Sequence, residues 1–495
     1  MRGSNPVTSI YLADHKLVRW LGLMAAAFIA LTGLMACVVL LAQIVKNFNI
    51  SSLALVFMWM ALLSFAIFRV NKGPQPGWLF FALLLLFSAA LRWSSVELTS
   101  AVALGADPMN YANLARAITE GRGLITDDWQ YGEGLRAYFP PLYPVLLAGV
   151  WALCGESFYS TLLFNTGVDV ASALILFQIG SGAGGRKTGL LSAFAYLAWP
   201  SLCLMGATPQ KESLALLLIL LLLSGTLRWM ATGHAGHPNQ KPERFLQFGA
   251  WLGICWGLLA LTQPALSLIP AAIAPLLIWQ KGFMPMVRLA LASIPFLLLV
   301  MMPWWVRNWM LFDSFVPFTT ASGMMLNSAL AEMRVPFPPD LFDNPETVRG
   351  AIMGDLAFAR LVEDPLAAIM RGARAIAYGL AYEEASLAQL RHTNPPISAE
   401  NHALLAPLLQ ASYVAILLSA LAGAWQQIKA RTVSPILIFY LVILVLIIGV
   451  NSWFEFGERH RLVLTPFLLL IGASYWAKVK EAFDARSLKE TAGLK

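Results

Sequence analysis

The sequence predicts an all-α polytopic membrane protein with about 12–13 transmembrane helices and two polar loop regions on the outer side of the membrane. Three observations predict it. The 495 residues are 58% hydrophobic and only 12% charged, with a mean hydropathy of +0.66. Apolar runs long enough to cross a bilayer recur along nearly the whole chain. Lys and Arg fall mostly in the short breaks between those runs, as positive-inside topology requires.

Spanning runs are expected at 17–45, 50–68, 77–96, 158–180, 187–206, 212–230, 246–262, 266–280, 288–306, 403–428, 433–451 and 460–477. The first is too long for the apolar stretch of a cleaved signal peptide, and a second follows at once. The run "PPLYPVLLAGVWALCG" (140–155) is shorter and barely matches the ~30 Å of hydrocarbon. With the N-terminus inside, on the strength of His15, Lys16 and Arg19, the basic breaks at Arg69/Lys72, Arg186/Lys187, Arg228/Lys241/Arg244, Lys281/Arg288 and Lys429/Arg431 all fall inside. That holds only if 140–155 does not cross fully, so it reads as re-entrant or shallow.

The chain therefore divides into N-terminal spans (1–96), a first outer loop (97–139), central spans (140–306), a second outer loop region (307–402), C-terminal spans (403–480) and a cytoplasmic tail (481–495). Long outer loops on a membrane scaffold are where binding and chemistry usually sit.

The net charge of +7 arises from the loop cations, which leaves no nucleic-acid reading. The four cysteines (Cys37, Cys154, Cys203, Cys255) lie in or beside apolar runs without CxxC spacing, and the six histidines form no ligand cluster. No P-loop is present, which argues against ATP-driven pumping.

In "GADPMNYANLARAITEGRG" (105–123), Asp107-Pro108 is a helix-start signal: aspartate accepts from free N–H groups, and proline is tolerated in the first turn. Tyr111, Leu114, Ala115 and Ile118 then share a face, as in a short amphipathic helix on the outer membrane surface. On spacing alone Asp107 is a plain N-cap. "TDDWQ", with Asp127 and Asp128, reads as a solvated turn. Lys211-Glu212 opens a span; Glu212 suits the helix dipole, while Lys211 either meets a lipid phosphate or snorkels. Arg307 follows Trp304 and Trp305 at an outer boundary, where tryptophans form a belt and a guanidinium suits a phosphate. Arg459 and Arg461 break the positive-inside trend, and pairing with Glu455 or Glu458 is the plain alternative. Asp169, mid-span and four residues after Asn165, is assigned a structural hydrogen-bonding role.

The order "DPMNYANLARAITEG" then "PPLYPVLLA" resembles the first outer loop of the GT-C fold polyprenyl-phosphate-sugar glycosyltransferases, the protein mannosyltransferase and aminoarabinose transferase relatives. The similarity continues in "GRKTGLLSAFAYLAWPSLCLMGATPQKESLALLL" (185–218), "PWWVRNWMLFDSFVPFTTASGMMLN" (303–327) and "GERHRLVLTPFLLLIGA" (457–473). The resemblance implies that Asp107 is the catalytic acid of the first loop and Glu212 a second acid facing it. The family's usual acid pair is absent, because Pro108 follows Asp107; that weakens a shared-metal reading but leaves room for a divalent cation. Tyr111, Tyr143, Lys211, Arg307, Arg459 and Arg461 are expected to bind the substrate. Arg461 is expected to be the more sensitive of the last two, standing closest to the apolar span.

The implied reaction moves a sugar from a polyprenyl-phosphate donor to a glycan, lipid or protein hydroxyl, with inversion, on the outer face of a bacterial inner membrane. The competing class is a secondary transporter or lipid flippase, which places polar residues at mid-membrane and often shows repeated halves.

Overall fold

The computed structural model describes residues 16–46, 49–72, 78–101, 104–128, 130–232, 242–330, 333–391, 396–451 and 458–491. The chain is almost entirely helical. Three long helices, α1 (Lys16–Lys46), α2 (Ile50–Lys72) and α3 (Trp78–Ser100), precede the short α4 (Ala106–Thr119) and a two-stranded antiparallel ribbon, β1 (Thr126–Asp128) and β2 (Gly132–Leu135). Then come α5 (Leu142–Cys154), α6 (Phe158–Leu197), α7 (Pro200–Leu204), α8 (Glu212–Ala231), α9 (Pro242–Thr262), α10 (Ile269–Lys281) and α11 (Phe283–Phe312). A second non-spanning region holds α12 (Ser322–Ala329), α13 (Glu346–Glu363), α14 (Pro365–Ala381) and α15 (Ala385–Arg391). The chain finishes with α16 (Ala399–Lys429), α17 (Pro435–Asn451), the single turn α18 (Glu458–Arg461) and α19 (Thr465–Thr491).

Among the described residues, 10 helices are long and apolar enough to cross a membrane. Two features bring this into line with the larger number expected. The segment counted as one span from Phe158 reverses at Gly185, whose φ of 82° opens the left-handed region. Its two arms meet so closely that a Cβ on Gly180 would lie 2.9 Å from Gly189 Cα. And α17, at 17 residues, is apolar throughout but slightly short.

α5 does not cross. Its 13 residues rise about 20 Å, and it packs against the start of α6 in reverse order. The Tyr143 hydroxyl, from its first turn, donates to Asn165 Oδ1 (3.2 Å), while Trp151, from its last, donates to Thr161 Oγ1 (3.2 Å). α6 thus begins beside the last turn of α5 and runs back past its first.

The core is centred on α8, α16, α17 and α19, whose buried Leu, Ile and Phe side chains form one continuous cluster. α11 instead turns most of its apolar side chains outward, as a lipid-facing helix does. One buried ion pair bridges α3 and α6: Arg92 Nη1 lies 2.8 Å from Asp169 Oδ2. Asp169 is therefore charge-paired, by a partner the sequence reading did not name.

The two non-spanning regions pack together. Glu346 accepts from the backbone N–H of Arg136 (2.7 Å) and Ala137 (3.0 Å), and the Thr320 N–H donates to Ala137 O (3.0 Å). At the far end, Arg228 donates to Gln178 Oε1 (2.9 Å), Lys281 donates to Thr232 O, and Ala183, Ala430 and Lys478 line one small cavity. The Gly185 turn with Arg186 and Lys187 and the loop after Lys429 are thereby gathered opposite the two polar regions.

Candidate functional site

α4 is fixed before its first turn can be used. Asn110 Nδ2 donates to Asp128 Oδ2 (2.5 Å), and the Thr126 hydroxyl donates to Asn110 Oδ1 (3.1 Å). Asp128 also closes the ribbon's turn, accepting from the N–H of Gln130 (2.8 Å) and Tyr131 (3.0 Å), while Asp127 accepts from the N–H of Gly134 (2.7 Å). "TDDWQ" is thus a turn, as expected, and it is locked to α4.

Two expectations about α4 change. Its N-cap is Gly105, with no side-chain cap bond, so Asp107 stands inside the first turn and is not the cap. The helix does not lie open on a membrane surface either: Tyr111, Ala112, Leu114, Ala115 and Ala117 are all buried, because α5, β1 and the segment before α5 cover it.

The Asp107 carboxylate is directed at cations from two other parts of the chain. Arg459 Nη1, from α18, donates to Oδ2 at 2.7 Å. Lys211 Nζ, at the mouth of α8, lies 3.8 Å from the same oxygen and donates to the Tyr111 hydroxyl at 3.0 Å. The three charged side chains are partly open, at 24% for Asp107, 14% for Lys211 and 11% for Arg459. Tyr111 packs edge-on against Phe139 and Tyr143, with centroids 5.7 and 5.5 Å away. Asn165 links this cluster to the loop before α8: it receives the Tyr143 hydroxyl and donates to Gly206 O (3.0 Å) and Thr208 O (3.1 Å). That clamp sets where Lys211 and Glu212 emerge. Glu212 is buried, with Oε2 lacking a hydrogen-bond partner among the described residues.

Electrostatics follow from this placement. Burial alone would raise the Asp107 carboxyl, but the Arg459 and Lys211 charges and the Arg459 hydrogen bond outweigh it and bring it down to about 2. Burial, with the Asp107 charge, pushes the Tyr111 hydroxyl up to about 12. Burial would lower Lys211, yet its anionic and phenolic neighbours hold it above its ordinary value. The resting site is a carboxylate clamped between two fixed cations.

The structure thus brings together Asp107, Tyr111, Tyr143, Lys211, Glu212 and Arg459. It places the other two arginines elsewhere. Arg307 donates to Asn308 Oδ1 (2.7 Å) and to Leu124 O (3.2 Å), and stacks 4.9 Å over the Trp304 ring. Arg461 is 1% exposed and turned into the protein, donating to Gly379 O and Tyr382 O (both 2.8 Å) and to Glu383, with Tyr413 3.7 Å beneath it. Glu455 and the side chain of Glu458 lie outside the described residues.

Sequence reasoning missed Asn110, Asp128 as the residue that holds it, and Arg92. None stands in a spacing pattern, and each acquires its role only through a partner distant in the chain. Among the described residues no group of three His, Cys, Asp or Glu side chains is placed to hold a metal ion. At Asp107 itself, Lys211 and Arg459 both face Oδ2.

No family model matches the chain, and no curated protein matches it. Solved structures similar to it include the following two. One is ArnT from Cupriavidus metallidurans bound to undecaprenyl phosphate, at 13% identity over 82% of this chain and 79% of that one, TM-score 0.41. The other is the Archaeoglobus fulgidus oligosaccharyltransferase in the apo form, at 15% identity over 84% of this chain and 52% of that one, TM-score 0.47. The chain spans about half the length of the oligosaccharyltransferase. Neither likeness bears on the residues of the site.

Proposed function

We propose that this protein is a GT-C-type glycosyltransferase, moving a sugar from a polyprenyl-phosphate donor to a hydroxyl of a glycan, lipid or protein on the outer face of a bacterial inner membrane. The observation that carries the reading is the partly open Asp107 carboxylate set against Arg459 and Lys211. An acid to take a proton and two cations for a phosphate are what transfer from a phosphate leaving group asks for.

The resting geometry carries a further step. A carboxylate with a pKa of about 2 is a feeble base, because efficient proton acceptance needs a pKa nearer the working pH. Lys211 and Arg459 cannot neutralise Asp107 and a donor phosphate equally. As the phosphate draws them away, Asp107 regains basicity in the complex that needs it. The acceptor oxygen then attacks the anomeric carbon from the face opposite the phosphate, and its proton passes to Asp107. The carbon–oxygen bond to phosphate breaks with its electron pair going to the phosphate, whose charge Lys211 and Arg459 hold. A single displacement inverts the anomeric centre. Tyr111 and Tyr143 form the wall behind the reacting groups, and Glu212 is a second acid beside Lys211.

The transporter reading would rest on Asp169, but that carboxylate is held by Arg92. The test is transfer in detergent from an isolated polyprenyl-phosphate sugar, wild type against Asp107→Asn. Transfer by the wild type and none by the variant supports the reading; dependence on a sealed membrane sinks it.

A further inference from the structure

α13 and α14 carry an apolar face that none of the described residues covers. On their inner sides Met353, Ala357, Leu361 and Ala368 are buried. On the opposite side, around the Asp364 junction, Phe358 (63%), Val362 (64%), Leu366 (66%), Ile369 (61%) and Met370 (54%) stand exposed. A patch of this kind on an otherwise folded surface marks an interaction site.

Two observations say what covers it. The first is depth. Gln410 Nε2 donates both to Ala36 O of α1 (3.0 Å) and to Ala381 O at the end of α14 (2.8 Å). Ala36 is twenty residues past Lys16, a rise of about 30 Å, which is the thickness of the hydrocarbon. Measured from Lys16, the end of α14 therefore lies about one hydrocarbon thickness away, toward the Asp107 side. Upright, its 17 residues would carry Leu366 and Ile369 up to about 25 Å into water; lying flat, they keep the whole stripe at the boundary.

The second is continuity. The outward side chains of α11 run to its end with Trp309 (54%) and Met310 (81%), followed by Phe315 (58%). α13 is tied to that end through α12, where a Cβ on Gly323 would fall 2.5 Å from Gly354 N.

We propose that α13 and α14 form an interfacial anchor lying in the plane of the membrane, with the lipid surface on the Asp107 side as its partner. Amphipathic helices bind there by sinking the apolar face to the acyl boundary. Exposed Arg374, one turn past Met370, stands where such a helix meets headgroups. The anchor also reaches the site. Glu346, the first residue of α13, holds the N–H groups of Arg136 and Ala137, two residues before the Phe139 that packs on Tyr111. The bilayer thereby fixes the height of the site wall.

The inference rests on the membrane-spanning fold and not on the proposed reaction, so the test uses no substrate. Nitroxide labels are placed by Cys substitution at Phe358, Val362, Leu366, Ile369 and Glu363 in a Cys154→Ser parent, in phosphatidylethanolamine–phosphatidylglycerol vesicles. Unsubstituted parent supplies the background from the remaining cysteines. The four apolar positions should show an accessibility ratio of oxygen to a water-soluble nickel chelate several-fold above that at Glu363. Chelate access at all five positions would overturn the proposal. So would mutual broadening between labels on separate molecules, which would mean a second copy covers the face.

Discussion

Asp107 shows how much a residue's meaning depends on partners distant in sequence. Its chain neighbours suggested a helix cap, but Gly105 occupies that position, and Arg459 at the far end of the chain takes the carboxylate. Asp107→Asn should therefore keep α4 and the overall fold, because no cap bond is lost. Transfer should fall by about 10²–10⁴-fold, the range for losing a general base. Loss of expression in step with activity would mark the residue as structural. The pH dependence follows with its sign. The carboxyl is lowered to about 2 from 3.8, so its stabilising charge is fully present above about pH 4 and is lost as pH falls through 2. Free enzyme should show no step from Asp107 between pH 5 and 8. The kcat profile, which reports the donor-bound complex, should have an acid limb at higher pH than the kcat/KM profile. Coincident limbs would remove the exchange of cations. The two arginines of "ERHR" separate in the same way. Arg459→Lys should lower turnover with the fold intact, since lysine lacks the guanidinium fork. Arg461→Lys should lower thermal stability, because the buried Glu383 and two carbonyls lose their shared partner. The sequence reading ranked Arg461 first from its nearness to the span; the structure gives Arg459 the contact with Asp107.

Among the elements, what was legible is what depends on local hydropathy. The spans stand where apolar runs stand, and even the break between 180 and 187 is present, as the reversal at Gly185. The short length of α5 was legible in the run itself, and its shallow course was expected from charge placement. What was illegible depends on cover. The Tyr111–Leu114–Ala115 face of α4 looks the same in sequence whether lipid or protein lies against it, and here it is protein. The ribbon that orients α4 has only seven strand residues, too few to announce themselves in a pattern. Its contribution is measurable. Asp128→Ala removes the acceptor of Asn110 and of two turn N–H groups, and unmet buried donors cost about 1–3 kcal/mol. Activity should drop while the spanning helices remain intact by circular dichroism. Unchanged activity would mean α4 is held without the ribbon.

At the scale of the whole molecule, the two polar regions share one end, since Glu346 bonds Arg136 and Ala137 across them. Arg186, Lys187, Lys429 and Arg431 belong to turns at the opposite end, beside the cavity that Ala183, Ala430 and Lys478 line. Loop cations favour the cytoplasmic side, so the Asp107 end is expected to face outward. Sided labelling of single cysteines in right-side-out vesicles tests this without any assay of activity. Asp127→Cys and Glu363→Cys, both exposed on the Asp107 end, should react with an impermeant maleimide from outside. Arg431→Cys, in an exposed turn at the other end, should react only after the vesicles are opened. The packing already ties the first two together, so they must label as a pair whichever way the protein inserts. The reverse pattern would leave the site intact but turn it toward the cytoplasm. Nucleotide sugars would then be at hand, and the reason for a lipid-borne leaving group would go with it.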